Sequence, residues 1–179
     1  GRVCITNPLT EPLPKNLVDG SPNAARAAVA WLQDGAERCL RQELDALNLY
    51  LGIEQLRFGD RLRLEFEVDE AAHSGLVPSL ILQPLVENAL KYAVAPREEG
   101  GRLRIIAQLE SGHLKLVVAD DGPGLPVGVE LGTGRGVGFR NTRERLAALY
   151  GEHQTLAVRF SRPGLRIEIT LPFERAVQP

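Results

Sequence analysis

The sequence predicts an α+β protein, a two-layer sandwich of a mixed, largely antiparallel sheet with its helices on one face. Two observations predict it. Strand-like runs arrive mostly in pairs separated by turn-sized gaps, as antiparallel hairpins do. The order, helices, strand, helix, two strands, helix, two strands, is not the regular alternation of single strands and helices that a dinucleotide-binding βαβ fold would require.

The elements follow in order. Gly1 to about Pro22 is rich in Pro, Asn and Gly without a sustained apolar period, and reads as an extended lead-in. Asn23 to Leu40 is Ala-rich and helical in propensity, and carries the single Trp, Trp31. Residues 1–40 are therefore an irregular or partly helical lead-in, and residues 41–175 the folded domain. Arg41 to Arg57 is a helix, since Leu40, Leu44, Leu47 and Leu51 recur at three and four residues. Phe58-Gly59-Asp60 ends it. Arg61 to Val68 alternates charged and apolar residues, the pattern of a strand with one wet face. Pro78 then opens a helix that fades by Ala95-Pro96, and a polar loop runs from Arg97 to Gly101. Leu103 to Leu109 and Leu114 to Ala119 are strands around a turn at Glu110-Ser111-Gly112-His113. After Gly-rich loops, a helix from about Phe139 to Tyr150 buries Leu146 and Leu149. Thr155 to Phe160 and Leu165 to Leu171 form a second hairpin about Arg162-Pro163-Gly164.

Composition narrows the function classes. The chain has 179 residues, enough for one well-buried domain with an appendage. A net charge of -2 gives no concentrated basic surface, so nucleic acid is not expected as a partner. No run of about 18 apolar residues spans a membrane, and no signal peptide is visible. Two cysteines, Cys4 and Cys39, are too few for a disulfide scaffold and lack zinc-ligand spacing. The chain has no Met, even at its start, and is expected to be a piece of a longer polypeptide or a processed product.

Three segments carry candidate chemistry. On the helix from Gln83 to Tyr92, Gln83, Glu87, Lys91 and the flanking Asn88 share one arc, opposite Ile81, Leu82, Leu85, Val86 and Leu90. That arc is either an ordinary solvated face or a set of amide and ammonium groups able to hold a metal and a phosphate. Next, Asp120 and Asp121 leave a strand straight into Gly122-Pro123-Gly124. Asp and Gly suit a turn for backbone reasons alone. A carboxylate fixed there also suits a flat heterocycle with an exocyclic amine, Asp120 accepting the amine proton and Gly124 leaving room for the ring. Finally, Gly132 to Gly138 is glycine-dense and leads into a helix whose free N–H groups can face an anion. It lacks the Gly-Lys-Ser/Thr of a P-loop, and an isolated run of this type is more often a flexible loop than a phosphate cradle.

Taken in this order, an amide-bearing helix, a strand ending in Asp-x-Gly-x-Gly and a glycine loop opening a helix resemble the Bergerat, or GHKL, ATP-binding fold of histidine kinases, DNA gyrase, Hsp90 and MutL. Gln83 to Tyr92 resembles its N box, Asp120 to Gly124 its first glycine box and Gly134 to Gly138 its second. The wording is most similar to LytS-type sensor histidine kinases, the group that includes AlgZ. Tyr50 to Leu62, Leu82 to Ala89 and Asn141 to Leu146 carry that similarity.

The resemblance implies an ATP-binding catalytic domain with ATP and Mg²⁺ as cofactors. Asn88 would coordinate Mg²⁺, Lys91 and Tyr92 would contact the phosphates, and Asp120 would hydrogen-bond the adenine amino group. Gly122 and Gly124 would lie along the base, and Gly134, Gly136, Val137 and Gly138 would form the phosphate-side box. The segment from Leu125 to Arg135 would be a short lid. Hydrolytic members of the fold place a water-activating Glu one turn before the Asn, where this chain has Pro84. Proline cannot act as a base, which favours phosphoryl transfer over hydrolysis. Glu87, about 100° around the helix from Asn88, is left to order water or metal, or to sit on the wet face.

The resemblance also implies partners: a histidine-bearing dimerisation segment of the parent protein, of which residues 1–40 would hold a remnant, and a response regulator. The parent would be homodimeric and anchored at the bacterial inner membrane, with this domain in the cytoplasm. The family's acceptor histidine sits in an Asn-Pro-His-Phe-type motif, and none of His73, His113 or His153 has that context; Asn7-Pro8 is followed by Leu9. The acceptor is therefore expected outside this chain. The alternative is a non-catalytic nucleotide-binding regulatory or interaction module of the same fold.

Overall fold

Leu40, Leu44, Leu47 and Leu51 do line one buried side of a helix, and around that side the protein is assembled. The computed structural model describes residues 37–124, 137–160 and 163–176. Helix α1, Leu40–Phe58, follows the short strand β1, Glu37–Cys39. Strands β2, Leu62–Val68, and β3, Leu76–Pro78, precede helix α2, Gln83–Ala89, which is extended by a wider π-type turn over Leu90–Val94. The hairpin β4–β5, Gly101–Glu110 and His113–Asp120, leads to helix α3, Val137–Tyr150. A second hairpin, β6–β7, Thr155–Phe160 and Leu165–Pro172, completes the chain's main sheet.

That sheet runs β2-β4-β5-β7-β6. It is antiparallel except for β2 and β4, which pair in parallel from Leu62 opposite Gly101 to Val68 opposite Ala107. Leu103, Ile105, Leu114, Leu116, Val118, Ile167 and Ile169 alternate onto the helix-covered face and are buried there with Leu85, Val86, Phe139 and Leu146. The expected α+β sandwich is thus the observed fold. The opposite face is held by cross-strand ion pairs: Arg102 lies 3.3 Å from Glu65, Arg104 pairs with Glu65 and Glu67, and Arg159 lies 3.2 Å from Glu168. Such exposed pairs contribute about 0–1 kcal/mol each and keep this face wet.

Three local expectations are corrected. Residues 23–36 lie outside those described, but Glu37–Cys39 is not helical: it pairs antiparallel with Leu76–Pro78, Glu37 opposite Pro78. The backbone hydrogen bonds available from β3 outweigh the helical propensity of this short stretch. For the same reason Pro78 does not open a helix. It ends β3, Leu80 follows at a φ of 57°, and Pro84 is the proline in the first turn of α2, where a missing N–H costs nothing. In α3 the inward row is Phe139, Thr142, Leu146 and half-buried Tyr150, whose hydroxyl donates to Glu37 Oε1 at 2.8 Å. Leu149 is displaced from that row and is exposed.

Candidate nucleotide site

Helix α2 sits on the core through Leu85, Val86 and Ala89, continued by Leu90 in the wider turn. This leaves its polar residues on two sides rather than one. Gln83, Glu87 and Lys91 form a row: the Gln83 amide donates to Glu87 Oε1 at 2.9 Å, and Glu87 and Lys91 are exposed. Asn88 is rotated away and half-buried, and its Nδ2 is enclosed without a hydrogen-bond partner among the described residues. A buried N–H donor left unpaired costs free energy, so the observation points to an acceptor, such as a phosphate or water oxygen, that would complete it. The single arc expected for all four residues therefore divides, with Asn88 apart from the Gln83–Glu87 pair.

Beyond Ala89 the helix widens, and Ala95 donates to Leu90 O at 2.8 Å across five residues. Such wide turns are frequent at functional sites. Here the turn brings Ala93 against the end of β5: a Cβ placed on Gly122 would stand 2.4 Å from Ala93 Cβ. Only a bare backbone fits between the helix and the turn. The ammonium of Lys91 lies 5.1 Å from the centre of the partly exposed Tyr92 ring.

The two acidic residues at the end of β5 have separate tasks. Asp121 is tied into the scaffold, its Oδ1 accepting from Arg102 N at 2.8 Å and from Arg97 Nη1 at 3.1 Å. Asp120 faces the other way. Its Oδ1 accepts from Gly122 N at 2.9 Å and Leu165 N at 3.3 Å. Burial pushes the Asp120 carboxyl above the ordinary range, and those two N–H groups partly offset it. With Oδ1 committed to the backbone, Oδ2 is the oxygen available to a ligand.

The turn between β6 and β7 completes this corner, which the sequence did not reveal. Gly164, at a φ of 111°, packs so closely that a Cβ there would meet Asp120 O at 1.8 Å. A glycine in a predicted hairpin turn marked the local bend, but nothing marked its landing on Asp120 from 44 residues away in sequence.

Of the remaining predicted residues, Gly124 adopts a φ of 75° at the last position described before α3. Gly134 and Gly136, and the expected lid, lie outside the described residues. Val137 begins α3, and Gly138 in its first turn packs on α2, a Cβ there meeting Pro84 Cβ at 3.1 Å. A cleft of about 250 Å³ lies alongside, lined by Leu80, Pro84, Gly138, Asn141, Thr142 and Arg145 among others. The three motifs separated in sequence thus converge, the turn after β5 meeting α2 at Ala93 and the start of α3 meeting it at Pro84.

Residues 76–175 match the model of the histidine kinase-, DNA gyrase B- and HSP90-like ATPase family. The chain belongs to that family. As a HATPase domain it is similar to the sensor histidine kinase YesM of Bacillus subtilis, 36% identical over 77% of this chain and 24% of the relative. It is similar also to the sensor protein LytS of Enterococcus faecalis, 31% identical over 75% of this chain and 24% of that protein. The chain therefore spans about a quarter of the length of these relatives. Among solved structures it resembles the histidine kinase domain of the Erythrobacter litoralis EL346 blue-light activated kinase, with a TM-score of 0.62 and 20% identity, covering 83% of this chain and 71% of that one. The catalytic domain of histidine kinase ThkA follows at 0.61 and 16%, covering 76% and 95%. At such identities these two show the fold alone. The resemblance to LytS-type kinases read from the motifs is borne out by the family match and by the YesM and LytS relatives. Among the described residues no helix is long and apolar enough to cross a membrane.

Proposed function

We propose that this HATPase domain holds Mg-ATP for phosphoryl transfer to a histidine on a segment outside this chain, and thence to a response regulator. The observation that carries the reading is the enclosed Nδ2 of Asn88, unpartnered among the described residues, on the helix that packs against Gly138 and, through its wider last turn, Gly122. The residues present fit the group. Asn88 offers an amide oxygen to Mg²⁺, which takes few protein ligands and completes its shell from phosphate and water. No cluster of three His, Cys, Asp or Glu side chains that could hold a metal occurs among the described residues, so phosphate oxygens and water would have to supply the rest.

When bound, Mg-ATP supplies the γ-phosphoryl group, its charge offset by the metal. Asp120 Oδ2 would accept a hydrogen bond from the adenine amino group, and Gly122 and Gly124 would let the backbone approach the ring. Lys91 and Tyr92 would meet the phosphates from the last turn of α2, Val137 and Gly138 from the start of α3, a helix N-terminus suited to anions, and Gly134 and Gly136 would belong to the same glycine box. Asn88 and Lys91 position the transferred group. Glu87 is held by Gln83 and keeps the lesser part of ordering water at the edge of the site. Pro84, in the position of a hydrolytic base, leaves no side chain there to activate water. The parent would be a membrane-anchored homodimer with this domain in the cytoplasm.

The test mixes the chain with a separate family dimerisation segment bearing the acceptor histidine and ATP labelled at the γ-phosphate. Label on that segment, lost in Asp120→Asn and Asn88→Ala, is expected. Tight ATP binding without transfer would instead support a regulatory nucleotide-binding module.

A further inference from the structure

Helix α2 has no cap of its own. Its N-cap residue is Leu82, which offers no side-chain acceptor, and Pro84 follows two residues later. Helices ordinarily satisfy their first N–H groups with a nearby Ser, Thr, Asp or Asn. Here the acceptor comes from another element. Glu43, on α1 and only 2% exposed, reaches across so that Leu82 N donates to its Oε1 at 3.1 Å and Leu80 N to its Oε2 at 2.9 Å. Arg38 Nε of β1 stands 3.8 Å from the same carboxylate.

The loop so gripped is an unusual one. Leu80 sits at a φ of 57°, a conformation costly for a branched side chain. From the other side Arg145 of α3 donates to Ser79 O at 2.5 Å. Ser79 to Leu82 is therefore clamped between α1 and α3, immediately ahead of the helix that carries Asn88 and Lys91. A buried carboxylate is expensive to keep unless its hydrogen bonds are needed. An apolar residue at position 43 would continue the leucine face of α1, so general core packing does not account for an acid there.

We infer that Glu43 is a positioning residue of the nucleotide site, capping α2 from α1 and thereby setting where Asn88 and Lys91 stand. This inference rests on the Mg-ATP reading above.

The test measures Mg-ATP affinity by calorimetry on the whole chain, beside thermal melts, for wild type, Glu43→Ala, Glu43→Gln and the control Leu47→Ala. Leu47 is a buried residue of the same helix, one turn on. Glu43→Ala is expected to weaken binding at least about tenfold, or ~1.4 kcal/mol, while folded. Glu43→Gln, with one acceptor oxygen for two donors, should fall between it and wild type. Leu47→Ala should lower the melting temperature and leave affinity within about twofold. Equal weakening by Glu43→Ala and Leu47→Ala, or affinity within about twofold of wild type for a folded Glu43→Ala, overturns the inference. If Glu43→Ala does not fold, Glu43→Gln decides, and unchanged affinity in that variant overturns it. Absence of Mg-ATP binding by wild type would overturn the functional reading itself. Wild-type binding with unaffected variants overturns the positioning role alone.

Discussion

Gly122 and Ala93 touch backbone to side chain: a Cβ on Gly122 would lie 2.4 Å from that of Ala93. This contact fixes the distance between the turn after β5 and the end of α2. Replacing Gly122 with Ala should push the two apart. Mg-ATP affinity measured by calorimetry is expected to fall at least about tenfold, ~1.4 kcal/mol, with a lowered melting temperature. A Gly122→Ala protein that binds as wild type would show that the turn and the helix need not meet.

Asp120→Asn separates recognition from stability. Burial raises the folded-state carboxyl above the ordinary value of about 3.9, so between the two values the folded protein holds more protons than the unfolded one. Asp120 therefore subtracts stability at neutral pH, and that penalty is relieved as pH falls through the raised folded value. The Asn variant is expected to melt at or above the wild-type temperature at pH 7 and yet lose ATP affinity, because an amide N–H would face the adenine amine. A destabilised Asp120→Asn protein would contradict this account.

The same carboxyl predicts the pH dependence of binding. Protonation places a donor against a donor, so the Kd for ATP should rise on acidification, with a midpoint above the ordinary Asp value. Titration of affinity against pH, compared with Asp120→Asn, checks it: the variant's profile should lack that step.

Asn88→Ala removes a side chain whose enclosed Nδ2 has no partner among the described residues. Deleting an unsatisfied polar group is nearly neutral for stability, so melts should change by less than about 1 kcal/mol. Magnesium-dependent ATP affinity should drop, while affinity for adenosine, which carries no phosphate, stays. Loss of adenosine binding would place Asn88 elsewhere in the site.

Phe139→Ala tests the seating of α3. Phe139 is fully buried at the start of that helix, and truncating such a residue typically costs about 3–5 kcal/mol. Chemical denaturation should show a loss of that order. A loss under about 1 kcal/mol would mean that the helix is not held at its first turn.

Sequence patterns revealed most of the architecture because both hairpins and two long helices carry strong periodicity. Leu40 to Leu51 and the alternation from Leu114 to Val118 needed no tertiary information. The motif order also revealed the family. What was hidden depended on long-range pairing. Glu37–Cys39 looks helical until β3 offers hydrogen bonds, and Pro78 and Pro84 are equally good helix openers until Leu80 breaks the backbone between them. Within the site, the adjacent pair Asp120 and Asp121 is chemically uniform in sequence. Arg97, Arg63 and the Arg102 N–H on one side, and Gly122 with Leu165 on the other, give them different tasks. Glu43 stayed unread because it sits where a leucine would suit the pattern, and its partners are 37 and 39 residues away.

The parallel pairing of β2 with β4 has a consequence for how the protein comes into being. Strands that run the same way cannot be joined by a tight turn, and the connection here contains β3, α2 and the loop that Glu43 grips. The helix that carries Asn88 is thus the crossover itself. The local hairpins β4–β5 and β6–β7 can close early in folding, since their contacts are near in sequence, whereas the crossover must wait for a long loop to be closed. On the proposed reading, competence to bind nucleotide would then be among the last properties a refolding chain acquires, and binding would report finished topology.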